Sequence, residues 1–207
     1  AAVRGDAEKL REGLAAVFRG SRQCVTSDRS ATRTQVVFGS GNADADLMFV
    51  GEAPGAEEDR QGLPFVGRSG NLLTQMLHEV GIEREEVFIA NTLKCRPPEN
   101  RDPTQVEIET CRPWLYEQIR LIQPRVVATL GNFSTKLLSG SPTGITKVHG
   151  VPQVRKLGVR TVYLLPLFHP AAALRSKAPA DALRTDLAAI PDLLKRDIPV
   201  FDEPLDI

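Results

Sequence analysis

Glu52, Asn91 and His169 are a carboxylate, a carboxamide and an imidazole, and each follows a short apolar run. Leu47-Met48-Phe49-Val50 precedes Gly51-Glu52, Val87-Phe88-Ile89-Ala90 precedes Asn91, and Val162 to Leu167 stops shortly before His169. Between them these groups can accept a proton, hold a polar ring edge and donate to a developing negative charge. The densest stretch is Gly51-Glu52-Ala53-Pro54-Gly55, continued through Glu58-Asp59 to Pro64-Phe65-Val66-Gly67. Its glycines permit close backbone approach to a ligand, and Pro54 stiffens the turn. Glu52, Glu58 and Asp59 make it acidic, and it lacks the Lys-Ser/Thr ending of a phosphate-cradling loop, so a P-loop is excluded. Acids beside a flat ring, Phe65, suit a flat polar ligand better. Taken singly, each residue has an ordinary reading: His169 as a satisfied loop residue before Pro170, Asn91 as a turn cap, Phe65 as core, Glu52 as an acceptor of loop amides. Their coincidence at strand ends points to a site.

The elements that must position them alternate. An amphipathic helix is expected over residues 6 to 19, with Leu10, Leu14, Val17 and Phe18 on one face. Val36 to Phe38 is a short strand candidate, followed by the central strand 47 to 50. A helix is predicted from about Ser69 to Val80, a strand at 87 to 90, and a Pro-rich loop from Thr92 to Pro103. A helix over about 104 to 122 contains Pro113, where a kink or break is expected. Val126 to Leu130 reads as the third strand, with a short helix to Leu138, a short hairpin around Val151 to Val159, and the fourth strand at 162 to 167. A final helix is expected over about 180 to 195, then a loosely held acidic tail, 197 to 207. The pattern predicts an α/β fold: three αβα layers around a mostly parallel sheet of about four strands, as one domain spanning 1 to 207. Parallel strands of that kind bring Glu52, Asn91 and His169 to one edge, where open α/β sheets bind ligands.

Composition narrows the class of protein. The formal net charge is zero, so no global attraction to nucleic acid exists, although a local basic face remains open. No apolar run approaches membrane-spanning length, and the first residues lack the apolar core of a secretory leader. Three cysteines in 207 residues do not make a disulfide scaffold. A cytoplasmic, reducing compartment with metal-binding or structural cysteines is the expectation.

Four motifs carry a family resemblance. Gly-Glu-Ala-Pro-Gly-x-x-Glu-Asp (51 to 59), Gly-Leu-Pro-Phe-Val-Gly-x-Ser-Gly (62 to 70), Asn91-Thr92-x-Lys94-Cys95-Arg96-Pro97-Pro98 and His169-Pro170-Ala171-Ala172-x-Leu174-Arg175 closely resemble family 4 uracil-DNA glycosylases, the iron–sulfur members of their superfamily. The likeness runs from about Cys24 to Leu194. It implies hydrolysis of the N-glycosidic bond of flipped-out deoxyuridine in double- or single-stranded DNA, leaving an abasic site. On that reading uracil stacks on Phe65 and pairs with Asn91, His169 donates to uracil O2, and Glu52 orients or activates the water. Gly51, Ala53, Gly55, Glu58 and Asp59 complete the substrate pocket. Leu174 is the wedge filling the vacated space, and Arg175, Lys177 and Lys94 are phosphate contacts. The best-known branch of the superfamily carries an Asp and a methyl-blocking Tyr where this chain has Ala53 and Gly55. Thymine must then be excluded elsewhere, with Glu58 as the candidate. A DNA-cross-linking branch carries a His-bearing insertion after the Asn strand; residues 92 to 104 contain no His, which excludes it.

The resemblance also implies a [4Fe-4S] cluster on four cysteines. Cys24, Cys95 and Cys111 fall on three of those positions, while the fourth carries Ser27. Ser27 oxygen, Asp28 or water could complete the set, or the cluster could shrink or be lost. Two rival readings stand beside the glycosylase: a non-catalytic DNA- or cluster-binding relative, and a glycosylase with altered base range (hypoxanthine or xanthine), since Gly55 leaves room at the ring edge. A monomer without membrane contact is expected.

Overall fold

The computed structural model describes residues 7–24 and 33–197. Its sheet has six strands: β1 (Ser40–Gly41), β2 (Leu47–Gly51), β3 (Phe88–Asn91), β4 (Val126–Leu130), β5 (Gln153–Leu157) and β6 (Arg160–Leu167), in the order β1-β3-β2-β4-β6-β5. The four inner strands are parallel, and they are the four expected from sequence. The two edge strands run antiparallel to their neighbours. Residues 36 to 38 are not a strand; Val37 N–H donates instead to the Lys94 carbonyl at 2.8 Å, and the edge pairing falls on β1. The expected hairpin at 151 to 159 is shifted, because β5 turns at Gly158 (φ +62) and pairs with β6 itself.

Described helices are α1 (Ala7–Arg22), α2 (Ala56–Gln61), α3 (Arg68–Glu79), α4 (Gln105–Ile122), α5 (Asn132–Ser139), α6 (Ile145–Val148), α7 (Pro170–Ala173), α8 (Lys177–Ala188) and α9 (Ile190–Leu194). Alternate residues of the inner strands serve opposite faces. Met48, Val50, Phe88, Ala90 and Val127 join Leu14 of α1 and Leu115 and Ile119 of α4 in one apolar cluster. Leu47, Phe49, Ile89, Val126 and Ala128 join Leu73, Met76 and Leu77 of α3 and Leu183 and Leu187 of α8 in the other. Phe49 and Met48 are fully buried, and each such side chain contributes roughly 1.5–3 kcal/mol by leaving water. The result is the three-layer αβα arrangement.

Two helix boundaries sharpen the expectation. α4 is one helix through Pro113, so there is no break there. That residue is exposed, so the carbonyl it leaves without a helical donor can turn to water. The final helix is two, with α8 ending at Ala188 and α9 beginning at Ile190, next to Pro191. No described helix is long and apolar enough to cross a membrane. Of the expected tail only Asp197 is described; the rest lies outside the described residues.

Candidate active site

Strands β2, β3 and β6 point the same way, and their carboxyl ends open on a cleft of about 510 Å³. Glu52, Ala53, Gly55, Glu58, Phe65, Asn91, His169 and Arg175 line it. The chain turns to opposite sides of the sheet after β2 and after β4, the switch point at which α/β sheets place ligands.

Asn91 is the floor. It pairs in register with Gly51 and is only 1% exposed. Its side-chain Oδ1 is buried and has no hydrogen-bond partner. A buried acceptor left unpaired costs about 1–3 kcal/mol, so the atom calls for a donor from whatever fills the cleft. Gly51 makes room for it: a Cβ there would sit 2.4 Å from Asn91 Oδ1 and 2.7 Å from the Phe65 ring.

Phe65 forms a wall, with its ring centroid 5.7 Å from that of His169. Its backbone is left-handed (φ 51), unusual for a bulky residue. Gly70 makes room for this turn, since a Cβ there would lie 1.9 Å from the Phe65 carbonyl oxygen. Arg84 braces the same turn, donating to the Pro64 carbonyl at 2.7 Å and to Thr74 Oγ1 at 2.9 Å.

His169 caps α7, and its Nδ1 accepts the Ala171 N–H at 3.1 Å. An Nδ1 that accepts carries no proton, so in the neutral ring the hydrogen is on Nε2. Burial lowers the imidazole pKa to about 4; Glu58 opposes this and Arg175 adds to it. His169 is therefore a neutral donor at physiological pH. Glu52 is perturbed the other way: burial first, then the charge of Asp102, raise its carboxyl to about 7. A carboxylate at that value is suited to proton transfer near neutrality.

The other two acids of the loop differ. Glu58 lines the cleft, but its oxygens accept the N–H groups of Gly55 (3.1 Å), Val66 (3.1 Å) and Gly67 (3.0 Å). It clamps the two walls together. A Cβ on Gly55 would lie 2.8 Å from Glu58 Oε2, so the room expected beside Gly55 is occupied. Asp59 does not line the cleft. It is 5% exposed and accepts the N–H of Thr34 at 3.0 Å. Its expected place in the substrate pocket is corrected: one residue along α2 from Glu58, it faces the segment at 34 and 35 instead.

Lys94 is a second correction. It is 2% exposed, with Nζ donating to the Asn91 carbonyl (2.8 Å) and to Gln118 Oε1 (2.6 Å), so it contacts no phosphate at the surface. Burial lowers its pKa to about 7. Leu174 ends α7 and is 42% exposed, and Arg175 borders the cleft.

Sequence reasoning missed the far rim: Pro97, Asn100, Arg101 and Asp102. Glu99 and Asn100 are both left-handed (φ 53 and 55), which folds the Pro-rich loop back over the strand ends. Arg101 anchors it through two hydrogen bonds to Glu107, at 2.9 and 2.7 Å. Glu107 also accepts the Thr104 N–H while Thr104 Oγ1 caps α4. That capping box, Thr104-x-x-Glu107, is the sequence signal that could have located the rim.

The cysteines lie on the α1/α4 side. Cys95 and Cys111 are buried, Cys24 is half-buried, and Arg33 Nη1 donates to Cys95 Sγ at 3.2 Å. Soft sulfur donors suit an iron–sulfur group. Among the described residues, however, no three His, Cys, Asp or Glu side chains are grouped to hold a metal ion, and Ser27 lies outside those residues. The described set alone does not complete such a site.

Comparisons agree with this geometry. The model of the uracil DNA glycosylase superfamily matches residues 38–191. The chain is 46% identical over 166 residues to the type-4 uracil-DNA glycosylase of Sulfurisphaera tokodaii, covering 78% of this chain and 76% of that one. It is 40% identical over 197 residues to the type-4 uracil-DNA glycosylase of Archaeoglobus fulgidus, covering 92% and 98%. A third, from Thermotoga maritima, is 46% identical over 158 residues, covering 76% and 81%. With its sheet ends, cleft and motifs in this agreement, the chain belongs to the type-4 branch of the uracil DNA glycosylase superfamily.

Proposed function

We propose that the protein hydrolyses the N-glycosidic bond of deoxyuridine flipped out of DNA, releasing uracil and leaving an abasic site. The observation that carries this is the orphaned, buried Asn91 Oδ1 beside the Phe65 ring. An acceptor there matches uracil N3–H, and the amide N–H of the same side chain matches O4. Cytosine presents the opposite pattern, leaving buried polar groups unpaired. Phe65 supplies the stacking face.

As the bond to the sugar lengthens, negative charge collects on the ring and positive charge on the sugar. The Nε2–H of His169 donates to uracil O2, an interaction worth ~2.7–4 kcal/mol when preorganised. Being neutral, His169 stabilises the anion without protonating it first. Glu52 in its carboxylate form takes a proton from the attacking water and favours the cationic sugar. Glu58, beside Gly55, bars the thymine methyl. Its oxygen in that space also argues against larger purine substrates and so against the altered base range. Leu174 wedges the stack, and Arg175 and Lys177 hold phosphates. The non-catalytic alternative has no use for a carboxyl raised to about 7 in the same cleft as a neutral imidazole.

Cys24, Cys95 and Cys111, with the Ser27 position, are proposed to hold a [4Fe-4S] cluster. It would supply a structural tie between the N-terminal segment and α4, and no part of glycosidic cleavage. Iron content and visible absorbance after anaerobic purification test it; colourless, iron-free protein refutes it. The chain is read as one domain, active as a cytoplasmic monomer.

The activity is tested with single- and double-stranded oligonucleotides bearing uracil, hypoxanthine or xanthine, followed by alkali cleavage. Strand scission at uracil is expected, and it is lost in Asn91→Ala and His169→Ala. No scission on any substrate would sink the enzymatic reading.

A further inference from the structure

Lys94 is a fully buried lysine that glycosidic cleavage does not use. Its Nζ sits in the core, donating to the Asn91 carbonyl at 2.8 Å and to Gln118 Oε1 at 2.6 Å. Gln118 is itself wholly buried, and its Nε2 donates to the Phe38 carbonyl at 2.8 Å. Val37 N–H in turn donates to the Lys94 carbonyl at 2.8 Å. A continuous hydrogen-bonded chain thus runs from α4 and the 37–38 segment to the main chain of Asn91.

The sheet explains why that carbonyl needs a partner. Thr92 N–H donates to the Gly51 carbonyl, on the β2 side. The Asn91 carbonyl, on the other edge of the same peptide, points away from β2. There β1 pairs only with Phe88 and Ile89, so the strand partner has ended before Asn91. Lys94 Nζ takes its place. An apolar side chain of this volume would fill the same space without the cost of burying a polar amine. What the amine adds is direction: its hydrogen bond fixes the peptide from which the Asn91 carboxamide projects.

We propose that Lys94 is a positioning residue for base recognition, holding the end of β3 so that the Asn91 side chain meets the base at a fixed angle. The proposal rests on the reading of Asn91 as the group that pairs with uracil.

Lys94→Met and Gln118→Leu separate it from a general structural role. Three quantities are measured for each: uracil release, inhibition of that release by free uracil, and binding to an oligonucleotide carrying a tetrahydrofuran abasic analogue. In Lys94→Met, kcat/KM for release and affinity for free uracil should both fall roughly tenfold, the scale of one buried hydrogen bond. Binding to the abasic analogue, which presents no base, should stay within about twofold, well inside the change expected for one lost contact. Gln118→Leu leaves the Lys94–Asn91 bond in place and should show the same base-specific loss at smaller size. It also carries the test if Lys94→Met fails to fold. Unchanged inhibition by uracil in the folded variants, or an equal loss of abasic-DNA binding, overturns the proposal. A wild-type protein that releases no uracil overturns the glycosylase reading instead.

Discussion

Glu52 and the pair Glu58-Asp59 come from one acidic stretch, yet the fold treats them in opposite ways. Glu58 and Asp59 lie on α2, and their oxygens are held by main-chain N–H groups of three neighbouring segments. Glu52 stands at the end of β2, facing the cleft and Asp102, and its carboxyl is raised to about 7. An acid surrounded by donors becomes a strut, and an acid deprived of them keeps the raised pKa that the proposed water-activating role requires. Donor supply, set by the local backbone, separates the two roles more sharply than distance from the cleft.

The largest test of that contrast is Glu52→Gln. It should lower the single-turnover rate of uracil release by ~10²-fold or more, the usual scale for a general base. The pH profile gives the sign. A base must be deprotonated, so wild-type rates should climb with pH through about 7. The climb should vanish in Glu52→Gln, because His169, near 4, is already neutral across this range. A retained climb would assign the base elsewhere. Glu58→Gln comes next. Weakening three main-chain anchors, at roughly 1.5–3 kcal/mol for a charged acceptor, loosens both walls and should raise KM for uracil-containing DNA more than it lowers kcat. Steady-state kinetics separate the two, and a pure kcat defect would contradict the strut role. Asp59→Asn should cost ~1–3 kcal/mol of stability and lower the melting temperature, while uracil release well below that temperature stays within about twofold, a negligible barrier change. The smallest effect is Asp102→Asn. Removing its charge should move the midpoint of the pH profile below that of the wild type, with the plateau rate kept; an upward or absent movement would detach Asp102 from Glu52.

Much of this was legible before the fold was. β2, β3, β4 and β6 announce themselves because strands buried on both faces read as unbroken apolar runs, and Gly51, Asn91 and Gly131 mark their ends. Asn91 and His169 follow directly from those ends, and Phe65 from the motif at 62 to 70. α2 was hidden because its six residues, Ala-Glu-Glu-Asp-Arg-Gln, have no apolar face to show a period. That concealed which way Asp59 points. Lys94 was misplaced for a different reason. A lysine reads as exposed by default, and the acceptors that make its burial tolerable are a main-chain carbonyl three residues back and a Gln on α4. Asp102 escaped because its position depends on two left-handed residues, Glu99 and Asn100, that need not be glycine. Side chains fixed by a strand end are readable from local pattern, and those fixed by tertiary hydrogen bonds are not.

The left-handed turn at Phe65, wedged by Gly70 and Gly51, bears on the thermodynamics of capture. With its backbone set and its ring against His169, the proposed stacking surface has little conformational entropy left to lose when a base arrives. Preorganisation of this kind strengthens binding by removing an ordering cost, without any added contact. The main expense of capture then falls on the DNA, which must give up stacking and pairing at one nucleotide. Such an enzyme should discriminate by how readily a uracil leaves its helix, favouring mismatched over paired sites by an amount that tracks duplex stability and not the pocket.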